Sequence, residues 1–148
     1  MEKLESEYPE LRIETDLNMP KHQGGFIYNK HIVLNANKSY QEQHSALAEE
    51  IGHYETSSGS IINLNTPQKR QQEARARRWG YQKVINLDGL VACYRNDMTT
   101  TSEVADFFEV TPEYLWKAID AYRQKYGESF FYFGYKFDFS HGLSITGK

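Results

Sequence analysis

Four helix starts are specified in this chain by side-chain chemistry, and their order leaves few ways to fold it. Ser39 and Glu42, and again Thr100 and Glu103, have the spacing of a capping box. In that motif the hydroxyl accepts from the amide three residues on, and the carboxylate reaches back to the first amide. Thr66-Pro67 and Thr111-Pro112 each set a capping hydroxyl before a proline, and proline suits the first helical position because its missing amide would have no intrahelical partner there. The spacing predicts helices from Ser39 to about Glu55, Pro67 to about Ile85, Ser102 to Phe108 and Pro112 to Tyr126, with another over Leu87 to Arg95. Gly127 is placed to end the last of these in a left-handed conformation.

The segments outside these helices are mostly β-prone. A charged opening, with a short helix expected over Glu2 to Tyr8 before Pro9, leads to Gly24-Gly25 and then to the runs Phe26 to Tyr28 and His31 to Leu34. Asn29-Lys30 between them suits a tight hairpin, since Asn tolerates positive φ. Thr56 to Ser60 reads as a turn. Near the end, Phe131, Phe133, Tyr135, Phe137 and Phe139 alternate with Tyr132, Gly134, Lys136 and Asp138, the period-two pattern of a strand or hairpin that is core-facing or else an exposed interface for a partner or a second copy. The fold class expected is α+β, in a single domain over residues 1–148.

Composition narrows the function classes. A net charge of −3 is unlike a surface built to neutralise phosphates. Cys93 is the only cysteine, so no intrachain disulfide forms and a reducing compartment fits. The acidic start lacks the apolar run of a signal peptide, and no stretch approaches the ~18 apolar residues of a membrane span. A cytoplasmic location and no membrane partner are expected.

The first long helix carries the most chemistry. With Glu49 at 0° and about 100° per residue, His53 falls near ~40° and Glu50 near ~100°, while Leu47, Ile51 and Tyr54 lie at about 140° to 200°. Three ionisable groups therefore flank one apolar stripe. Zinc-peptidase helices with the HExxH motif need such a face: two ligands four residues apart reach one metal, and the glutamate after the first reaches the metal-bound water. Here Glu49, Glu50 and His53 stand in those places, so the spacing is kept while the first ligand is Glu. A Glu and a His four apart also suit an ordinary solvated pairing. Gly52, inside the same helix, costs about 1 kcal/mol against alanine and implies a close neighbour. In the next helix Glu73 shares a narrow stripe with Ala76, Gly80 and Val84, where small residues admit another helix. Glu73 is a candidate third ligand, and equally a partner for Arg77 four residues on.

LAEEIGHYETS (47–57), EARARRWGYQKVI (73–85) and SEVADFFEVTPEYLWKAIDAYRQKYG (102–127) resemble, in order and spacing, the compact phage and mobile-element members of the ImmA/IrrE metallo-endopeptidase family. GGFIYNKHIVLN (24–35) is similar to that family's hairpin. The resemblance implies a zincin-like small domain: a β-hairpin or sheet, an active-site helix, and a following helical bundle with helix-turn-helix-like spacing. It divides the chain into a metallopeptidase-like core at about 19–86, a helical part at 87–127 and an aromatic tail at 128–148. It also implies one Zn²⁺ and cleavage of a phage-type or mobile-element repressor that relieves transcriptional repression. Carried over by position, His53 is a metal ligand, Glu50 the catalytic glutamate and Glu73 the downstream ligand, with Glu49 in place of the first histidine.

Charge arithmetic makes Glu49 the decisive position. Two histidines and a glutamate leave Zn²⁺ at about +1, whereas two glutamates and a histidine bring it near zero, and a less positive site acidifies bound water less. His44 cannot replace Glu49 from the same helix, because it sits about 180° from His53; His22 or His31 would have to approach through tertiary folding. In a working enzyme Glu50 would deprotonate water and the hairpin near Phe26 to Leu34 would align an extended substrate by strand addition. The alternative is a non-catalytic repressor-binding member of the family that has lost metal.

The unit over residues 102–118 has helix-turn-helix spacing, but Glu103, Asp106, Glu109 and Glu113 face only Lys117 there, and phosphates would repel it. Lys69, Arg70, Arg75, Arg77, Arg78 and Lys83 are scattered around their helix. A protein partner, with no direct nucleic-acid contact, is the expectation.

Overall fold

The computed structural model describes residues 1–57 and 66–147, with the Thr66 side chain outside that set. The expected turn after Thr56 falls largely on residues 58–65 and lies outside the described residues. The fold is mixed α+β, in two compact units, residues 1–84 and 85–148.

The first unit opens with α1 (Glu2–Ser6) and a three-stranded sheet: β1 (Arg12–Asp16), β2 (Gly25–Tyr28) and β3 (His31–Asn35), in the order β1-β3-β2. Strands β2 and β3 form the expected antiparallel hairpin, with Asn29 and Lys30 at φ 46° and 62°. Positive φ at both central residues is the twist that a two-residue turn requires. Strand β1, which the sequence pattern does not announce, pairs parallel with β3. Asn35 closes β3 and is fully buried. Its amide donates to the carbonyls of Pro20 (3.0 Å) and Gln23 (2.8 Å), and its oxygen accepts from the Asn37 amide at 3.0 Å. A buried amide saturated in this way pins the preceding loop to the sheet at no net polar cost.

Helix α2 (Tyr40–Thr56) begins at Ser39 with both arms of the capping box formed, and α3 (Thr66–Val84) packs against it. Leu47, Ala48 and Ile51 of α2 are fully buried in one core with Leu4, Leu11, Ile32 and Leu34. This is the apolar stripe of the helical wheel, turned onto the sheet.

The second unit holds α4 (Leu87–Arg95), α5 (Thr101–Phe108), α6 (Pro112–Tyr126) and a meander of β4 (Ser129–Tyr132), β5 (Tyr135–Asp138) and β6 (Ser144–Thr146). The Thr100–Glu103 capping box and the Thr111 cap both form. Gly127 ends α6 with φ 88° and ψ −173°, positive in φ yet extended, not the left-handed cap expected. That conformation belongs instead to Glu109 at the end of α5 (φ 60°, ψ 41°).

The aromatic tail is a hairpin, and its alternation breaks at the turn. Phe130 pairs with Phe137 and Phe131 with Lys136, so the inner face is even-numbered on β4 and odd-numbered on β5. Phe137 and Phe139 are therefore buried, with Phe130 stacked on Phe137 and tilted against Phe139, while Phe131 is 77% exposed and Phe133, in the turn, 82% exposed.

Candidate active site

The candidate site lies where α2 and α3 cross. Gly52 meets the backbone of α3 so closely that a Cβ there would stand 2.3 Å from the Ala76 carbonyl oxygen. The close neighbour implied by a mid-helix glycine is thus a helix, and the small residues Ala76 and Gly80 are buried on the stripe expected to admit it. Glu73 and Arg77 of α3 flank that contact on one side, and Glu49, Glu50 and His53 of α2 on the other.

Arg77 joins the two helices. Its Nε donates to Glu49 Oε1 at 3.0 Å, and its Nη2 donates to Glu73 Oε2 at 3.4 Å. The intrahelical pairing open to Glu73 is present, and the same guanidinium also takes the carboxylate at the position of the first metal ligand. All three side chains are between a third and a half exposed, where such pairs add about 1 kcal/mol or less to stability. Their interest lies in what they occupy.

Glu50 is different. It is 8% exposed, the one acidic side chain buried among the described residues, and no hydrogen bond from a described residue reaches its carboxyl. Burial, followed by the nearby charges of Glu49 and Glu73, raises its pKa from 4.5 to about 7. Desolvation penalises the carboxylate form, and two like charges add to that penalty. A carboxyl balanced near neutrality is able to accept a proton and to give it back.

His53 is half-buried on the next turn, and its carbonyl accepts from the Ser57 amide at the end of α2. The other histidines lie elsewhere. His44 is buried on the far side of α2 and has a partner of its own, and His22 is exposed. His31 on β3 stands 3.0 Å from Glu14, close enough for an ion pair but without hydrogen-bond alignment. None of them replaces Glu49.

A resident metal needs three protein donors directed at one point with a position left open. Among the described residues no three His, Cys, Asp or Glu side chains are grouped to hold a metal ion. In place of the expected set Glu49, His53 and Glu73, the structure turns Glu49 and Glu73 toward Arg77. As arranged, these donors do not fit Zn²⁺. The sequence offers Arg77 as a partner of Glu73 and as one of the basic residues scattered around α3; its second bond, to Glu49, depends on the helix crossing.

No helix among the described residues is long and apolar enough to cross a membrane. Comparison with curated proteins and with solved structures gave no match. A family model does match, that of the IrrE N-terminal-like domain of the M78 peptidases, over residues 10–119. It spans the sheet, both helices of the candidate site and the helices up to Ile119 of α6. The chain therefore belongs to the ImmA/IrrE family, and its function is metallopeptidase-like.

Proposed function

We propose that the protein acts on a repressor of the phage or mobile-element type, as an endopeptidase whose proton-transfer group is Glu50, and so relieves transcriptional repression. The observation that carries this reading is the buried Glu50 carboxyl, balanced near neutral pH at the position of the family's catalytic glutamate. From there it takes a proton from the attacking water and returns it to the leaving amine. Strand β2 lies at an edge of its sheet, with Tyr28 and Phe26 exposed, and offers an extended substrate segment a strand to pair with. Zinc belongs to this reading as the family's cofactor. Because the donors do not fit it as arranged, no step is assigned to it.

The Arg77 clamp favours a second reading, in which the chain binds its repressor without cutting it. One experiment separates the two. Phage-type repressors are co-expressed with the wild-type chain and with Glu50→Gln, and both fragments and complexes are scored. Cleavage by wild type and its loss in Glu50→Gln supports the peptidase. Complex without fragments from either chain supports the binder, and cleavage by Glu50→Gln at the wild-type rate removes Glu50 from the mechanism.

A further inference from the structure

Glu49 and Glu73 come from different helices, yet their carboxylates converge on a single cation, and that cation is part of the chain. Arg77 reaches Glu73 along its own helix and Glu49 across the crossing, with different nitrogens of one planar fork. A guanidinium suits this role because its donors are fixed in a plane that matches carboxylates, and because it stays charged at any pH a protein survives. A divalent ion entering between the two carboxylates would compete with the guanidinium for them and would meet a full positive charge at close range.

We propose that Arg77 is the resident cation of this site, holding Glu49 and Glu73 in place of a divalent metal, so that zinc enters only when Arg77 is displaced. The inference rests on reading Glu49, His53 and Glu73 as the donor set, and it deepens the proposed function by making the site self-closed. It requires that the guanidinium and the metal compete for the same two carboxylates, both of which Arg77 already contacts.

Zinc binding tests this without any substrate. Chelator-treated protein, freed of the chelator, is titrated with zinc chloride by calorimetry, for the wild type, Arg77→Ala, Arg77→Lys, and Arg77→Ala combined with Glu73→Gln. Arg77→Ala should bind one zinc at least tenfold more tightly than wild type, and Arg77→Lys, which keeps the charge, should stay within about threefold of wild type. Adding Glu73→Gln should cancel the gain. Equal affinity in wild type and Arg77→Ala, or a gain that survives Glu73→Gln, overturns the proposal. If Arg77→Ala does not fold by circular dichroism, Arg77→Gln, which keeps length and polarity without charge, carries the same comparison. The repressor assay is independent of this one, so either idea can fail while the other stands.

Discussion

Replacing Glu50 by Gln should make the metal-free protein more stable, and only at higher pH. In the unfolded chain Glu50 loses its proton near 4.5, whereas in the folded chain it holds it until about 7. Between those values the folded state binds more protons than the unfolded one, so stability falls as pH rises and then levels off above the folded value. A displacement from 4.5 to about 7 corresponds to about 3 kcal/mol against the ionised form, at about 1.4 kcal/mol per pH unit. Glutamine has nearly the shape of the protonated acid and never ionises. Urea unfolding of chelator-treated protein should therefore give the two chains equal stability within about 1 kcal/mol at pH 4.5, and Glu50→Gln an advantage of about 2–3 kcal/mol at pH 8.5. A difference that does not change with pH, or a variant less stable than wild type at pH 8.5, would refute the assignment of Glu50 as a buried carboxyl ionising near neutrality.

Two further substitutions test the frame around it. Gly52→Ala places a methyl against the Ala76 backbone and should cost about 3 kcal/mol, the upper part of the overpacking range; a loss under about 1 kcal/mol in chemical denaturation would mean that the crossing has slack. Glu109→Gly relieves a non-glycine residue held at φ 60° and should add about 0.5–1 kcal/mol, read as a higher melting temperature, whereas a lower one would show that the Glu109 side chain contributes more than its backbone strain costs.

What the sequence made legible follows how local the chemistry is. Ser39 with Glu42, Thr100 with Glu103, and Thr111 with Pro112 act within four residues, and the helices they start are where that spacing puts them. Asn29-Lys30 announced its hairpin for the same reason. Strand β1 stayed hidden because the partner it pairs with, β3, begins 19 residues later in register (Arg12 with His31), and nothing in Arg-Ile-Glu-Thr-Asp alternates cleanly. Strand β6 is three residues long at a sheet edge. The hairpin of the aromatic tail is legible from its alternation, but which residues face inward is not, because the turn reverses the parity between β4 and β5. At the candidate site, the shared face of Glu49, Glu50 and His53 and the need for a neighbour at Gly52 were readable along α2, and the choice open to Glu73 along α3. The bond from Arg77 to Glu49 was not, since it spans 28 residues and exists only once α2 and α3 are in contact.

The contact at Gly52 also determines when the site acquires its order. With a carbonyl oxygen 2.3 Å from where a side chain would begin, α2 and α3 meet backbone to backbone. Glu49, Glu50 and Glu73 are brought into one neighbourhood as the chain folds, and the loss of freedom this entails is set against burial of Leu47, Ala48 and Ile51. A ligand arriving later meets helices already in register, so its affinity need not offset their alignment, only the departure of what already sits between them.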